Sequence, residues 1–168
     1  MSASRPPARV EPGSGQVSVW DFPRPPRVEP VVARVRVEFH GEVVADTTRA
    51  LRVCETASPP TYYIPRDDIV PGVLVEADGG SYCEWKGRAV YWTLRVGDRE
   101  APAAGWSYPS PTRAFAAIAG HVAFYAGRVD ACFVGEARVT PQPGGFYGGW
   151  ITPDVVGPFK GEPGTAHW

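Results

Sequence analysis

Proline and glycine interrupt this chain so often that no long helix fits between them. There are 19 of each in 168 residues, a little below the level of roughly 25–30 % at which low complexity becomes the default. Hydrophobic residues make up 43 % and aromatics 12 %, enough for a real core. Together these features point to short strands joined by many tight turns. A chain of this length fits one domain better than two. It buries enough surface on folding to need neither metal nor disulfide. The expectation is a mainly β fold with one short helix.

Charge and cysteine usage narrow the function classes. The formal net charge is −1 with no basic stripe, so a nucleic-acid partner is not expected. The apolar stretches are only a handful of residues long, too short for a membrane span. Met1–Pro7 lacks the apolar centre of a secretory signal. Cys54, Cys83 and Cys132 are odd in number and widely spaced, without a Cys-x-x-Cys. They read as reduced thiols of a cytoplasmic protein. His40, His121 and His167 share no ligand spacing with one another or with the cysteines. No metal and no cofactor are expected.

Along the chain, residues 1–33 form a Pro-rich arm in which Arg-Val-Glu-Pro occurs at 9–12 and again at 27–30. Its prolines favour extended chain, and it is either pinned to the domain by Val19, Trp20 and Phe22 or a floppy leader. From Arg34, polar and apolar residues alternate to Phe39, the mark of a strand with one wet face. His40-Gly41 turns this strand back into Glu42–Ala45. Further strands are expected at 51–54, 62–64 and 73–75. Another is expected around Val90, Trp92, Leu94 and Val96, and a hairpin joins 132–134 to 137–139 across Gly135-Glu136. Asp78–Ser81 reads as a mobile loop. Ser110, Pro111 and Gly120 frame one helix over 111–119. The Gly-rich, aromatic tail 141–168 is expected to pack on the domain as an ordered loop.

Four segments occur in a specific order: Glu55 to Ile64, Tyr82-Cys83-Glu84-Trp85-Lys86-Gly87, Ala104-Gly105-Trp106-Ser107-Tyr108-Pro109 and Gly120-His121-Val122-Ala123-Phe124-Tyr125. They resemble the DUF427 family (domain of unknown function 427), also catalogued under a nucleotidyltransferase-like name. The likeness covers about 34–135, with the domain taken as 34–140. The arm and the tail resemble extensions of actinobacterial members. The resemblance implies a β-tent-like fold, two antiparallel sheets meeting at an angle with a pocket between them. Many β-tent proteins hold zinc between two Cys-x-x-Cys knuckles; this chain has none, so no zinc site carries over. Nucleotidyl transfer gains no support from the residues. No Gly-Ser is followed by paired aspartates, and Asp67-Asp68 sits in a turn without the convergent carboxylates that two-metal chemistry needs.

The segment 83–87 concentrates a thiol, a carboxylate, an indole and an ammonium group. If extended, it points Cys83 and Trp85 one way and Glu84 and Lys86 the other, which separates Cys83 from Lys86. Lys86 among Trp85, Trp106 and Tyr108 is either a reactive amine or a stem laid over aromatic surface; the second is the simpler. Cys83 as a nucleophile needs a base such as His121. The leading expectation is a small molecule held in an aromatic pocket of Trp85, Trp106, Tyr108, Tyr91 and Phe124, with Lys86 and Tyr63 as polar contacts. An enzyme using Lys86 or Cys83, assisted by Glu84 or His121, is one alternative. An interaction module that docks a partner through arm and tail is the other. Either a monomer or a homodimer suits these readings.

Overall fold

The structure, a computed structural model, describes residues 8–168. In chain order, β1 (Val17–Ser18) and β2 (Arg27–Pro30) precede a hairpin of β3 (Val35–Phe39) and β4 (Glu42–Thr47). Then come β5 (Leu51–Cys54), β6 (Thr61–Pro65) and the long meander β7 (Leu74–Cys83), β8 (Gly87–Val96) and β9 (Arg99–Ser107). β10 (His121–Phe124), β11 (Ala131–Val134) and β12 (Ala137–Arg138) follow. The tail adds β13 (Thr140–Pro141), β14 (Trp150–Ile151) and β15 (Val155–Val156).

The expected mainly β class is what the chain adopts. Seven strands form one antiparallel sheet in the order β2-β5-β6-β10-β9-β8-β7, and four form a second in the order β12-β11-β3-β4. Both sheets feed one core. Val35, Val37, Val44 and Ala45 from the smaller sheet meet Ile64, Leu94, Val122 and Phe124 from the larger. The β3–β4 turn uses positive φ at both central residues, 51° at His40 and 75° at Gly41. That geometry matches the right-handed twist of the flanking strands.

Three local expectations need correction. Asp78–Ser81 is not a loop but part of β7, where the pairing with β8 slips between Glu76 and Gly80. Gly80 belongs there because a Cβ would come within 2.9 Å of the Ala89 carbonyl. Residues 111–119 do not form a regular α-helix. Arg113–Ile118 makes 3₁₀ turns broken at Phe115 (φ −114°, ψ 19°). Phe115 and Ile118, three apart, both bury, a spacing that 3₁₀ geometry serves directly. The hydroxyl of Thr112 goes to the Trp85 carbonyl at 2.5 Å instead of capping the turn. Finally, 84–86 is a hairpin turn between paired Cys83 and Gly87, so the alternation of an extended segment does not apply.

The arm from residue 8 onward is engaged with the rest of the molecule. β2 is the edge strand of the seven-stranded sheet, pairing with β5, and β1 pairs in parallel with β15 of the tail. Val19 and Phe22 bury with Cys54 and Val155 in a small third cluster. Trp20 donates its indole N–H to the Pro158 carbonyl at 2.8 Å. Removing this segment would strip an edge strand and open the Cys54 cluster.

Candidate functional site

Alternation along β6 divides the aromatic residues between two environments. Tyr62 and Ile64 point into the core shared by the sheets, while Tyr63 between them points to the opposite face. On that outer face the paired residues Tyr91, Trp106 and Ala123 of β8, β9 and β10 lie side by side. They form a second cluster with Tyr63, Ala89, Tyr108, Phe115 and Ile118. Tyr63 is 1 % exposed, and Trp106 and Tyr108 are each 7 % exposed. Their rings sit edge to face or tilted, Tyr63 to Trp106 at 6.5 Å and Tyr63 to Tyr108 at 6.4 Å.

A cleft of about 470 Å³ opens over this cluster. Tyr63, Trp106 and Tyr108 line its aromatic base. One wall is the β7–β8 turn, where Cys83, Glu84, Trp85 and Lys86 all reach it. The other is the tail, with Gln142, Phe146, Tyr147, Gly148 and Lys160. The sheet that meets this cleft is the seven-stranded one, and among the described residues none of the four-stranded sheet lines it. The expected pocket between two sheets is therefore corrected to a cleft on one sheet's outer face, walled by the tail. The inner faces of both sheets are filled mainly by aliphatic side chains, leaving that space to the core.

Backbone anchoring fixes both walls. Thr112 donates its amide to the Lys86 carbonyl at 3.1 Å. Gly87 is favoured by its φ of 102°, and it packs beside the 110–112 segment, where a Cβ would make an ordinary 3.4 Å contact with the Ser110 carbonyl. On the tail side, Gln142 accepts from the Gly149 amide at 2.9 Å and donates to the Lys160 carbonyl at 2.8 Å. Arg128 donates to the Gly145 carbonyl at 3.0 Å and the Tyr125 hydroxyl to the Phe146 carbonyl at 3.1 Å. Gly148 is required because a Cβ there would come within 2.2 Å of the Trp106 ring.

Polar groups in the cleft differ in how well they are satisfied. Tyr91 donates to the Ser81 hydroxyl at 2.9 Å. The Tyr63 hydroxyl is buried and makes no hydrogen bond in ordinary geometry. Burial drives this phenol well above its usual pKa, and the neighbouring Trp106 indole opposes that only in part. The hydroxyl thus stays protonated and has a proton to give. Burial raises the Tyr108 phenol as well, helped by the Cys83 thiol beside it. The Lys86 ammonium lies 5.7 Å from the Tyr108 ring centre and 6.0 Å from that of Phe115. The Lys160 ammonium lies 4.9 Å from that of Tyr147. Both are contacts that a charged ammonium makes with the negative face of a ring.

Of the expected site residues, Tyr63, Cys83, Glu84, Trp85, Lys86, Tyr91, Trp106 and Tyr108 come together here. Two do not. Phe124 is fully buried in the core between the sheets, on the far side from the cleft. His121 starts β10 opposite Pro65, bonds to the Ala119 carbonyl at 3.0 Å and is not among the cleft's lining residues. Cys83 therefore has no imidazole beside it in the cleft. The other thiols are inert by position, since burial pushes Cys54 up to about 12 and raises Cys132 further. No cluster of three or more His, Cys, Asp or Glu residues that could hold a metal ion is present among the described residues. Likewise no helix among them is long and apolar enough to cross a membrane.

Sequence reasoning alone misses the tail's share of the site: Gln142, Phe146, Tyr147, Gly148 and Lys160. One signal points to it, because Lys86 and Lys160 are the two lysines of a chain that otherwise uses arginine.

The profile of a domain of unknown function (DUF427) matches residues 27–135. This chain belongs to the DUF427 family. The matched segment begins at β2, the edge strand, and ends just after β11, so it contains the whole seven-stranded sheet. The tail that closes the cleft lies outside it. No curated protein matches the chain.

Proposed function

We propose that this DUF427 protein binds a small aromatic molecule, carrying a hydrogen-bond acceptor, in the cleft between the β7–β8 turn and the tail. The observation that carries this reading is the Tyr63 hydroxyl, a buried donor with no acceptor, on a residue that lines the aromatic base of the cleft. Buried polar groups in folded proteins are nearly always satisfied, and an exception calls for an explanation. Leaving such a group unpaired costs about 1–3 kcal/mol, and a ligand oxygen or nitrogen reaching the base of the cleft would recover it. Aromatic surface with a few placed polar groups is what a small-molecule site consists of. The half-buried Trp85 and Tyr91 and the buried Trp106 and Tyr108 supply that surface. Exposed Tyr82 and Phe146, 77 % and 70 % accessible, flank the entrance from opposite walls.

The test is a titration with a panel of aromatic acids, phenols and amides, followed by tryptophan emission. A ring arriving beside Trp85 and Trp106 changes that emission. Tyr63→Phe should weaken the best member about three- to tenfold, the worth of one net hydrogen bond. Flat titrations across the panel, or equal affinity in Tyr63→Phe, would contradict the reading.

A further inference from the structure

Basic residues are segregated in this protein by chemical type. The sequence contains fifteen arginines and two lysines. Among the described residues no arginine lines the cleft, and both lysines do, one on each wall. They stand far apart in sequence, at positions 86 and 160, so the fold alone brings them to one place. Many arginines are committed to carboxylates, as in Arg34 with Asp46, Arg49 with Asp68 and Arg52 with Glu29. Neither lysine has a carboxylate within 4.0 Å among the described residues. Each has its backbone anchored and its ammonium set over a ring instead.

From this placement we infer that the ligand is an aromatic acid, a ring bearing a carboxylate, sulfonate or phosphate, whose anionic group is held between Lys86 and Lys160. This inference rests on the aromatic reading of the cleft proposed above. Among the donors of the residues that line the cleft, two ammonium groups make no ion pair and the buried Tyr63 hydroxyl makes no hydrogen bond. A ligand that answers them must bring acceptors and negative charge. Lysine suits the task because its charge is compact and its stem flexible, so two heads can close on one anion from opposite walls. Glu55 and Glu84 also reach the cleft, Glu84 from an exposed position. They disfavour an anion that sits away from the lysines, which restricts where the acid group can bind.

Two fluorescent probes with nearly the same ring system separate the acid from the aromatic contribution. Anilinonaphthalenesulfonate carries the anion and N-phenylnaphthylamine lacks it. For the full chain, the double variant Lys86→Met/Lys160→Met should raise the Kd of the sulfonate roughly tenfold or more, as loss of a charged hydrogen bond does. The same variant should leave the affinity of the neutral probe nearly unchanged. Lys86→Arg/Lys160→Arg, which keeps the charge, should retain most of the sulfonate affinity. Equal effects of the methionine variant on both probes, or none on either, would overturn the anion assignment while leaving an aromatic cleft in place. Failure of both probes to bind the unmodified protein would overturn the aromatic reading itself.

Discussion

The inner face of the seven-stranded sheet, where it meets the four-stranded sheet, carries Ile64, Leu94, Val122 and Phe124 packed against Val35, Val37 and Val44. The outer face of the same sheet carries Tyr63, Tyr91 and Trp106, with Tyr108 just past the end of β9, and it is roofed only in part. One tail serves both. Trp150 enters the inner core, stacks on Tyr62 at 5.0 Å and donates to the Phe124 carbonyl at 2.8 Å. A few residues earlier, Phe146 and Tyr147 stand over the cleft. In the inner core the polar ends of Tyr62 and Trp150 have hydrogen-bond partners, whereas on the outer face the Tyr63 hydroxyl has none.

The two faces should respond differently to mutation. Trp150→Ala removes a fully buried ring and its hydrogen bond, and should cost about 3–5 kcal/mol in denaturant unfolding. A loss below about 1 kcal/mol, the scale of an ordinary surface substitution, would mean the tail is not part of the inner core. Gly148→Ala should cost about 1–3 kcal/mol, as overpacking does. It should also shift tryptophan emission, because the new methyl displaces the Trp106 ring. Unchanged emission would show that the tail does not press on the outer face.

At the sheet's edge, Arg52 ties Glu29 at 2.6 Å and Asp154 at 3.0 Å, linking β5 to β2 and the tail. Burial opposes ionisation of both carboxylates, yet the hydrogen bonds and charge of Arg52 outweigh it and hold both below the usual range, with the Thr152 hydroxyl assisting Asp154. Carboxylates depressed in the folded state contribute stability above their unfolded pKa of about 4, and that contribution is lost as pH falls through the folded values. Stability should therefore decline below about pH 4, and Arg52→Met should flatten the decline. An equally steep decline in the variant would place the acid-sensitive groups elsewhere.

Much of the inner face is legible in the sequence, because alternation from Arg34 to Phe39 and a His-Gly turn are local signals. The family segments likewise group Trp85, Trp106 and Tyr108 by motif alone. What escapes has non-local causes. Phe124 sits next to outer-facing Ala123 on a short strand, and its neighbours alone do not say which face is core. The turn at 84–86 is set by the register of β7 on β8 and by the contact of Gly87 with the 110–112 segment. Phe115 and Ile118 bury at the expense of the helix that their flanking residues would cap. Lys160 and Gly148 gain meaning only once the tail folds back, since no periodicity marks the Gly-rich stretch.

Adjacent tyrosines on β6 give the most direct test that one face is closed and the other still open to a ligand. Tyr62 is paired through its hydroxyl with Arg52 at 3.4 Å, whereas the Tyr63 hydroxyl has no acceptor. In ligand-free unfolding, Tyr62→Phe should lose about 0.5–1.5 kcal/mol, the worth of a satisfied bond. Tyr63→Phe should leave stability unchanged or raise it by up to about 1 kcal/mol, since it deletes an unpaired buried group. A loss in Tyr63→Phe as large as that in Tyr62→Phe would show that the protein already satisfies this hydroxyl and has no bond left to offer.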